Sequence, residues 1–142
     1  MAIMADVHDK KTRSFNMSMI KGKNTKPEII VRKFLHSRGF RYRLHVSELL
    51  GKPDIVLAKY HTVIQVQGCF WHKHDGCKYF IVPKTRTVWW LSKLNKTREK
   101  DKKNSNELHE LGWNTIVVWE CELKDNRKLR LEKLEKEILS FE

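Results

Sequence analysis

The chain has 142 residues, and 29 Lys+Arg against 17 Asp+Glu leave a formal charge of +12 at pH 7. Hydrophobic residues make up 40% and charged residues 32%, which suits one packed domain and excludes wholesale disorder. No apolar run approaches the ~20 residues that cross a bilayer, and the opening MAIMADVHDKKTRS has no secretory apolar stretch, so a cytoplasmic protein is expected. A charge this positive favours polyanions, because neutralised phosphates release condensed counterions. Five Trp and six Phe point the same way, since exposed aromatics stack on bases.

Residues 1–24 are polar and basic with little periodicity and read as a flexible arm that orders on binding; residues 25–142 read as the folded domain. Thr25-Lys26-Pro27-Glu28 carries the signature of a capped helix start, with Thr at the cap, Pro in the first turn and Glu three residues later. Ile30, Val31, Phe34 and Leu35 form the apolar stripe of that helix, which stops near Gly39. Phe40, Tyr42, Leu44 and Val46 alternate with Arg41, Arg43 and His45, predicting a strand with one buried and one basic face. Asp54-Ile55-Val56-Leu57-Ala58 predicts a short buried strand, and a turn at Lys59-Tyr60-His61 leads to a third over 62–67, broken by Gly68. An irregular segment rich in Cys, His and aromatics fills 69–84. An interrupted helical region is expected over 85–111, a fourth strand over 113–119 and one charged amphipathic helix over 124–141. The order is α-β-β-β-α-β-α, an α/β fold.

Cys69-Phe70-Trp71-His72-Lys73-His74-Asp75-Gly76-Cys77 packs two thiols and two imidazoles into one short stretch. Three cysteines cannot all pair as disulfides, and a reducing compartment disfavours disulfides, so thiolate ligation is the better use. Zinc takes four tetrahedral Cys or His ligands in structural sites. Cys69, His74 and Cys77, with Cys121 from the end of the fourth strand, supply such a set. His72, two residues from His74, is then left to move protons near neutral pH. Pro53-Asp54 leads into the second strand, and a carboxylate at a strand edge is a common way to hold magnesium against a phosphodiester. Taken alone, the same pair fits an ordinary turn.

Pro53-Asp54, Gly68-Cys69-Phe70-Trp71-His72, Pro83-Lys84-Thr85-Arg86-Thr87 and Trp119-Glu120-Cys121 together resemble the very short patch repair (Vsr) DNA mismatch endonucleases. The opening Asp6-Val7-His8-Asp9-Lys10 is similar to that family's N-terminal arm, and the resemblance runs from about residue 4 to 123. It implies a variant of the PD-(D/E)xK restriction-endonuclease-like fold, a three-layer core with a mixed sheet between helices. It also implies a magnesium-dependent nick beside the T of a T:G mismatch left by deamination of 5-methylcytosine. In that resemblance Asp54 and the main-chain carbonyl of Val66 hold magnesium, and His72 is the general base. Glu28 and Asp101 position metal-bound waters. Phe70 and Trp71 form an aromatic wedge with Met17 approaching from the other groove, while Lys84 and Arg86 hold phosphates. A monomer acting in the bacterial cytoplasm, at the nucleoid, on double-stranded DNA is implied, with mismatch-repair proteins as candidate partners. Where the general fold carries an acid-x-Lys pair on the third strand, this chain has Gln65 and Gln67. A nuclease of different site or structure specificity, and a catalytically silent DNA-binding relative, stand as alternatives.

Overall fold

A computed structural model describes residues 25–49 and 51–141. Helix α1 (Lys26–Ser37) starts where the sequence places its cap: Thr25 Oγ1 accepts the Glu28 N–H at 3.4 Å, and Pro27 sits in the first turn. Strands β1 (Arg43–Leu44), β2 (Ile55–Leu57), β3 (Thr62–Gln67) and β4 (Asn114–Trp119) form one sheet in the order β1-β2-β3-β4. The first three pair antiparallel and β3 pairs parallel with β4, so helix α2 (Thr87–Glu110) is the crossover that parallel neighbours require. Helices α3 (Glu120–Asp125) and α4 (Arg127–Ser140) end the chain.

The sheet is covered on both faces. Ile55, Leu57, Ile64, Ile116 and Val118 pack with Val31 and Leu35 of α1 and with Leu131, Leu134 and Ile138 of α4. Val56 and Val63, one residue out of phase, pack instead with Leu108 of α2 and with Val46. The period-two alternation of a strand therefore divides β2 and β3 between two helical layers. Each large aliphatic buried this way contributes roughly 1.5–3 kcal/mol. On the α2 face the later residues of β3, Gln65 and Gln67, are polar and line a cleft.

Four expectations need correction. The first strand is only two residues long, because His45 adopts a left-handed φ of 48° that turns the chain out of extended geometry, and Leu44 is exposed. The helical region before β4 is uninterrupted over its 24 residues, which contain neither Gly nor Pro. The last helix is two: Asn126, at φ −140° and ψ 47°, breaks it between α3 and α4. Cys121 accordingly lies in the first turn of α3, just past the end of β4. Met17 and the rest of residues 1–24 lie outside the described residues.

Candidate active site

Asp54 immediately precedes β2, and its carboxylate accepts the Val66 N–H of β3 at 2.7 Å. Extending the β2–β3 register places Pro53 opposite Val66, and proline has no N–H to offer the Val66 carbonyl. In an extended strand the N–H and C=O of one residue leave by the same edge, so that carbonyl faces the side on which Asp54 lies. Both residues line a cleft of about 260 Å³ together with His72 and Asp101. Sequence-distant groups thus meet here: His72 follows the turn after β3, and Asp101 projects from the middle of α2. His72 Nδ1 lies 2.5 Å from Asp101 Oδ2, so Asp101 sits on the imidazole itself.

Burial dominates the ionisation of Asp54 and pushes its carboxyl from the ordinary 3.8 up to about 6. The Val66 N–H opposes that rise, the nearby Glu28 charge adds to it, and His72 and Arg32 weaken it. Glu28 is 1% exposed, and its Oε1 lies 2.8 Å from His45 Nε2 and 3.3 Å from Arg32 Nη2. Donor atoms of Glu28, His45 and Asp54 fall within 4.8 Å of one another. Sequence reading found Glu28 but not His45, which it took as one more cation on a basic strand face.

A second cluster lies beyond His72. Cys69, His74, Cys77 and Cys121 bring their ligand atoms within 4.8 Å of one another, a span that one tetrahedral ion bridges. The turn that achieves this is tight: the His74 N–H bonds the Cys69 carbonyl at 2.9 Å, and Lys73 and Gly76 take positive φ. His74 stacks on Trp119 at 3.9 Å, and its Nδ1 lies 3.4 Å from Cys121 Sγ. Burial pushes the Cys69 thiol up to about 12 and raises Cys121. For Cys77 burial also works upward, but the Tyr79 N–H and the neighbouring thiols outweigh it and hold the thiol below its ordinary value. Three crowded thiols, two of them reluctant to ionise unaided, and an aromatic-clamped imidazole match the soft donor set that a zinc ion stabilises.

Phe70 and Trp71 are half-buried and meet edge-on at 5.2 Å; both rings also contact Trp90 of α2, at 5.5 and 5.9 Å. Lys84 and Arg86 are exposed just before α2, with the Arg86 guanidinium 4.7 Å above the Trp89 ring. Among the described residues no helix is long and apolar enough to cross a membrane.

The family model for DNA mismatch endonuclease Vsr matches residues 5–78. The type II nicking enzyme V.NmeAIP of Neisseria meningitidis serogroup A is 49% identical, over 95% of this chain and 97% of its own. The DNA mismatch endonuclease Vsr of Escherichia coli is 45% identical over 92% of this chain and 83% of its own. The type II nicking enzyme V.XorIIP of Xanthomonas oryzae is 43% identical over 86% and 89%. On these matches, and with the Gly68–His72 string and Cys121 drawn to adjoining sites, the chain belongs to the Vsr family of DNA mismatch endonucleases.

Proposed function

We propose that this chain nicks one strand of duplex DNA at a T:G mismatch left by deamination of 5-methylcytosine, hydrolysing the phosphodiester beside the T with magnesium. The observation that carries the reading is the shared cleft: Asp54, the Val66 edge of β3, and the His72–Asp101 pair line one cavity.

The cleft's donors suit a hard cation. Asp54, partly buried in the cleft, has the buried Glu28 carboxylate beside it; a divalent ion relieves the repulsion that Glu28 exerts on Asp54, and the Val66 carbonyl adds a third oxygen. We assign Asp54 and Val66 as magnesium ligands, with Glu28 ordering water at the edge of the site. Bound there, magnesium supplies Lewis-acid stabilisation of the charge that builds on the phosphate. Asp101 accepts the His72 Nδ1–H and so fixes the tautomer in which Nε2 is the proton acceptor. His72 Nε2 takes a proton from the attacking water; the new P–O bond forms as the bond to the leaving oxygen breaks, and that oxygen departs with the electron pair and takes a proton from solvent water. Gln65 and Gln67 on the cleft floor offer amide hydrogen bonds and no proton-accepting group.

We read the three layers as a variant of the PD-(D/E)xK fold, with zinc held by Cys69, His74, Cys77 and Cys121 as a clamp on the loop that carries His72. Phe70 and Trp71, with Met17 from the N-terminal arm, act as the wedge at the mismatch: a mispaired step costs less to unstack than a paired one. Lys84 and Arg86 contact phosphates, and the protein works as a cytoplasmic monomer.

Nicking of matched and T:G duplexes, with and without magnesium, tests this. Product is expected on the T:G duplex alone and only with magnesium. Asp54→Ala and His72→Ala each lower the rate by at least ~10²-fold while duplex binding persists. Equal product on both duplexes replaces the mismatch reading with another site specificity, and binding without product replaces it with a silent DNA-binding relative.

A further inference from the structure

We infer that His45 is a positioning residue, whose imidazole and backbone N–H together set the Glu28 and Asp54 carboxylates at the spacing at which they receive a divalent cation. The inference deepens the reading of the cleft as a magnesium-dependent centre and rests on it. His45 touches both acidic residues, by different atoms. Its ring Nε2 lies 2.8 Å from Glu28 Oε1, and its N–H donates to the Asp54 main-chain carbonyl at 3.1 Å. Glu28 comes from α1 and Asp54 from the entry to β2, so one residue ties together two elements whose relative placement sets the gap between the carboxylates.

The backbone at this position suits Gly best, and Asn, Asp and His better than other residues. His45 has a φ of 48°, in the left-handed region that β-carbons disfavour. Glycine would fit this backbone and lose the contact with Glu28. The turn made by this backbone aims the imidazole at a carboxylate that is 1% exposed. The link is one of proximity: Nε2 lies 2.8 Å from Glu28 Oε1, outside hydrogen-bonding alignment, and holds the ring against the carboxylate. Arg32, one turn along α1, reaches the same Glu28 oxygen at 3.3 Å from within the same helix. His45 supplies the restraint across elements. Groups that orient a metal's ligands typically change affinity ~10–100-fold when removed.

The test uses the full chain with its zinc retained and magnesium as the probe, read in two ways: the rise of melting temperature with magnesium, and single-turnover nicking of a T:G duplex across the same concentrations. His45→Ala and the backbone-compatible His45→Gly are expected to raise the magnesium midpoint about tenfold in both titrations, with duplex affinity unchanged. His45→Gln, whose amide nitrogen falls near the Nε2 position, is expected to stay within about threefold of wild type. A merely structural role would follow melting temperature instead, and would leave the midpoint of the well-folded His45→Gly unmoved; that result overturns the inference. So does a Gln variant as impaired as Ala. A wild-type protein that neither nicks nor responds to magnesium overturns the cleft reading and His45 with it, whereas a responsive wild type with an unmoved His45→Ala overturns the inference alone.

Discussion

The thiol–imidazole cluster and the acidic cleft lie next to each other and are assembled in opposite ways. Three of the four cluster residues fall between positions 69 and 77, so one tight turn brings them together before any distant contact is needed. The cleft draws Asp54 from before β2, Val66 from β3, His72 beyond it and Asp101 from α2, and Glu28 of α1 and His45 after β1 adjoin it at Asp54. No two of these are close in sequence except His72 and Val66. Three of the four donors can therefore gather locally, with only Cys121 brought in by the end of β4, while the cleft exists only once the whole sheet is in register. Helix α2 joins the two regions. Asn95, Arg98 and Asp101 recur every three residues along α2, and they engage Lys73, Asp75 and His72 of the 69–77 loop in turn. The same helical stripe that fastens the loop therefore aims the imidazole.

The sharpest way to break this contrast is to remove one of the cluster's donors. Structural zinc contributes ~10–16 kcal/mol of apparent binding energy in small peptides, so losing one ligand of four is expected to cost at least ~4 kcal/mol here. Cys121→Ala should lose bound zinc, by elemental analysis of the purified protein, and melt well below wild type. Nicking should fall as a consequence, because the loop carrying His72 is no longer held. A variant with full zinc content and an unchanged melting temperature would show that the cluster is packing rather than ligation.

The next effect lies where the two regions meet. Asp101→Asn keeps the size of the side chain but offers the imidazole an amide, which can hold the wrong tautomer. A drop of roughly 10²-fold in single-turnover nicking is expected, about 2.7 kcal/mol of barrier, with zinc content and duplex affinity unchanged. If Asp101 serves only the loop's attachment, Arg98→Ala should do equal damage. If it orients His72, Arg98→Ala should cost far less, because Arg98 pairs with the exposed Asp75 and surface pairs contribute little.

What could be read in advance follows the same division. The soft-donor set was legible because Cys and His crowd a short stretch, and the Thr25 cap and the bounds of β3 were legible because caps and period-two apolar runs are local signals. Asp54 was legible in kind but not in partner: nothing in Pro53-Asp54 announces that its carboxylate takes up the Val66 N–H. His45 was hidden because Arg41, Arg43 and His45 alternate like an ordinary solvated face. Only the turn after Leu44 sends the imidazole to Glu28. The break at Asn126 was missed because α3 and α4 share an amphipathic pattern that runs through it. Cys121 joins the other three donors although it lies in α3 and not at the end of β4, since a short helix at a strand's end leaves the residue almost where the strand would have put it.

The smallest expected effect separates the regions by sign. Removing a cluster residue destabilises the protein, whereas removing the cleft's central acid should stabilise it when magnesium is absent. Burial raises the Asp54 carboxyl from 3.8 to about 6 in the folded protein. Between those values the folded state holds a proton that the unfolded chain has lost, so stability falls as pH rises through that window. Above pH 6 the ionised, desolvated carboxylate costs up to ~3 kcal/mol at about 1.4 kcal/mol per pH unit. Asp54→Asn can still accept the Val66 N–H through its amide oxygen and has no charge to desolvate. With zinc bound and magnesium omitted, it should exceed wild type by about 2 kcal/mol at pH 7 and by little near pH 4, measured by denaturant unfolding. Added magnesium should narrow or reverse the difference at pH 7, because the cation binds the folded wild type and finds no carboxylate at position 54 in the variant. Equal stability of the two proteins at pH 7 without magnesium would mean that Asp54 is not strained by its burial, and the cleft would lose the electrostatic tension that invites a cation into it.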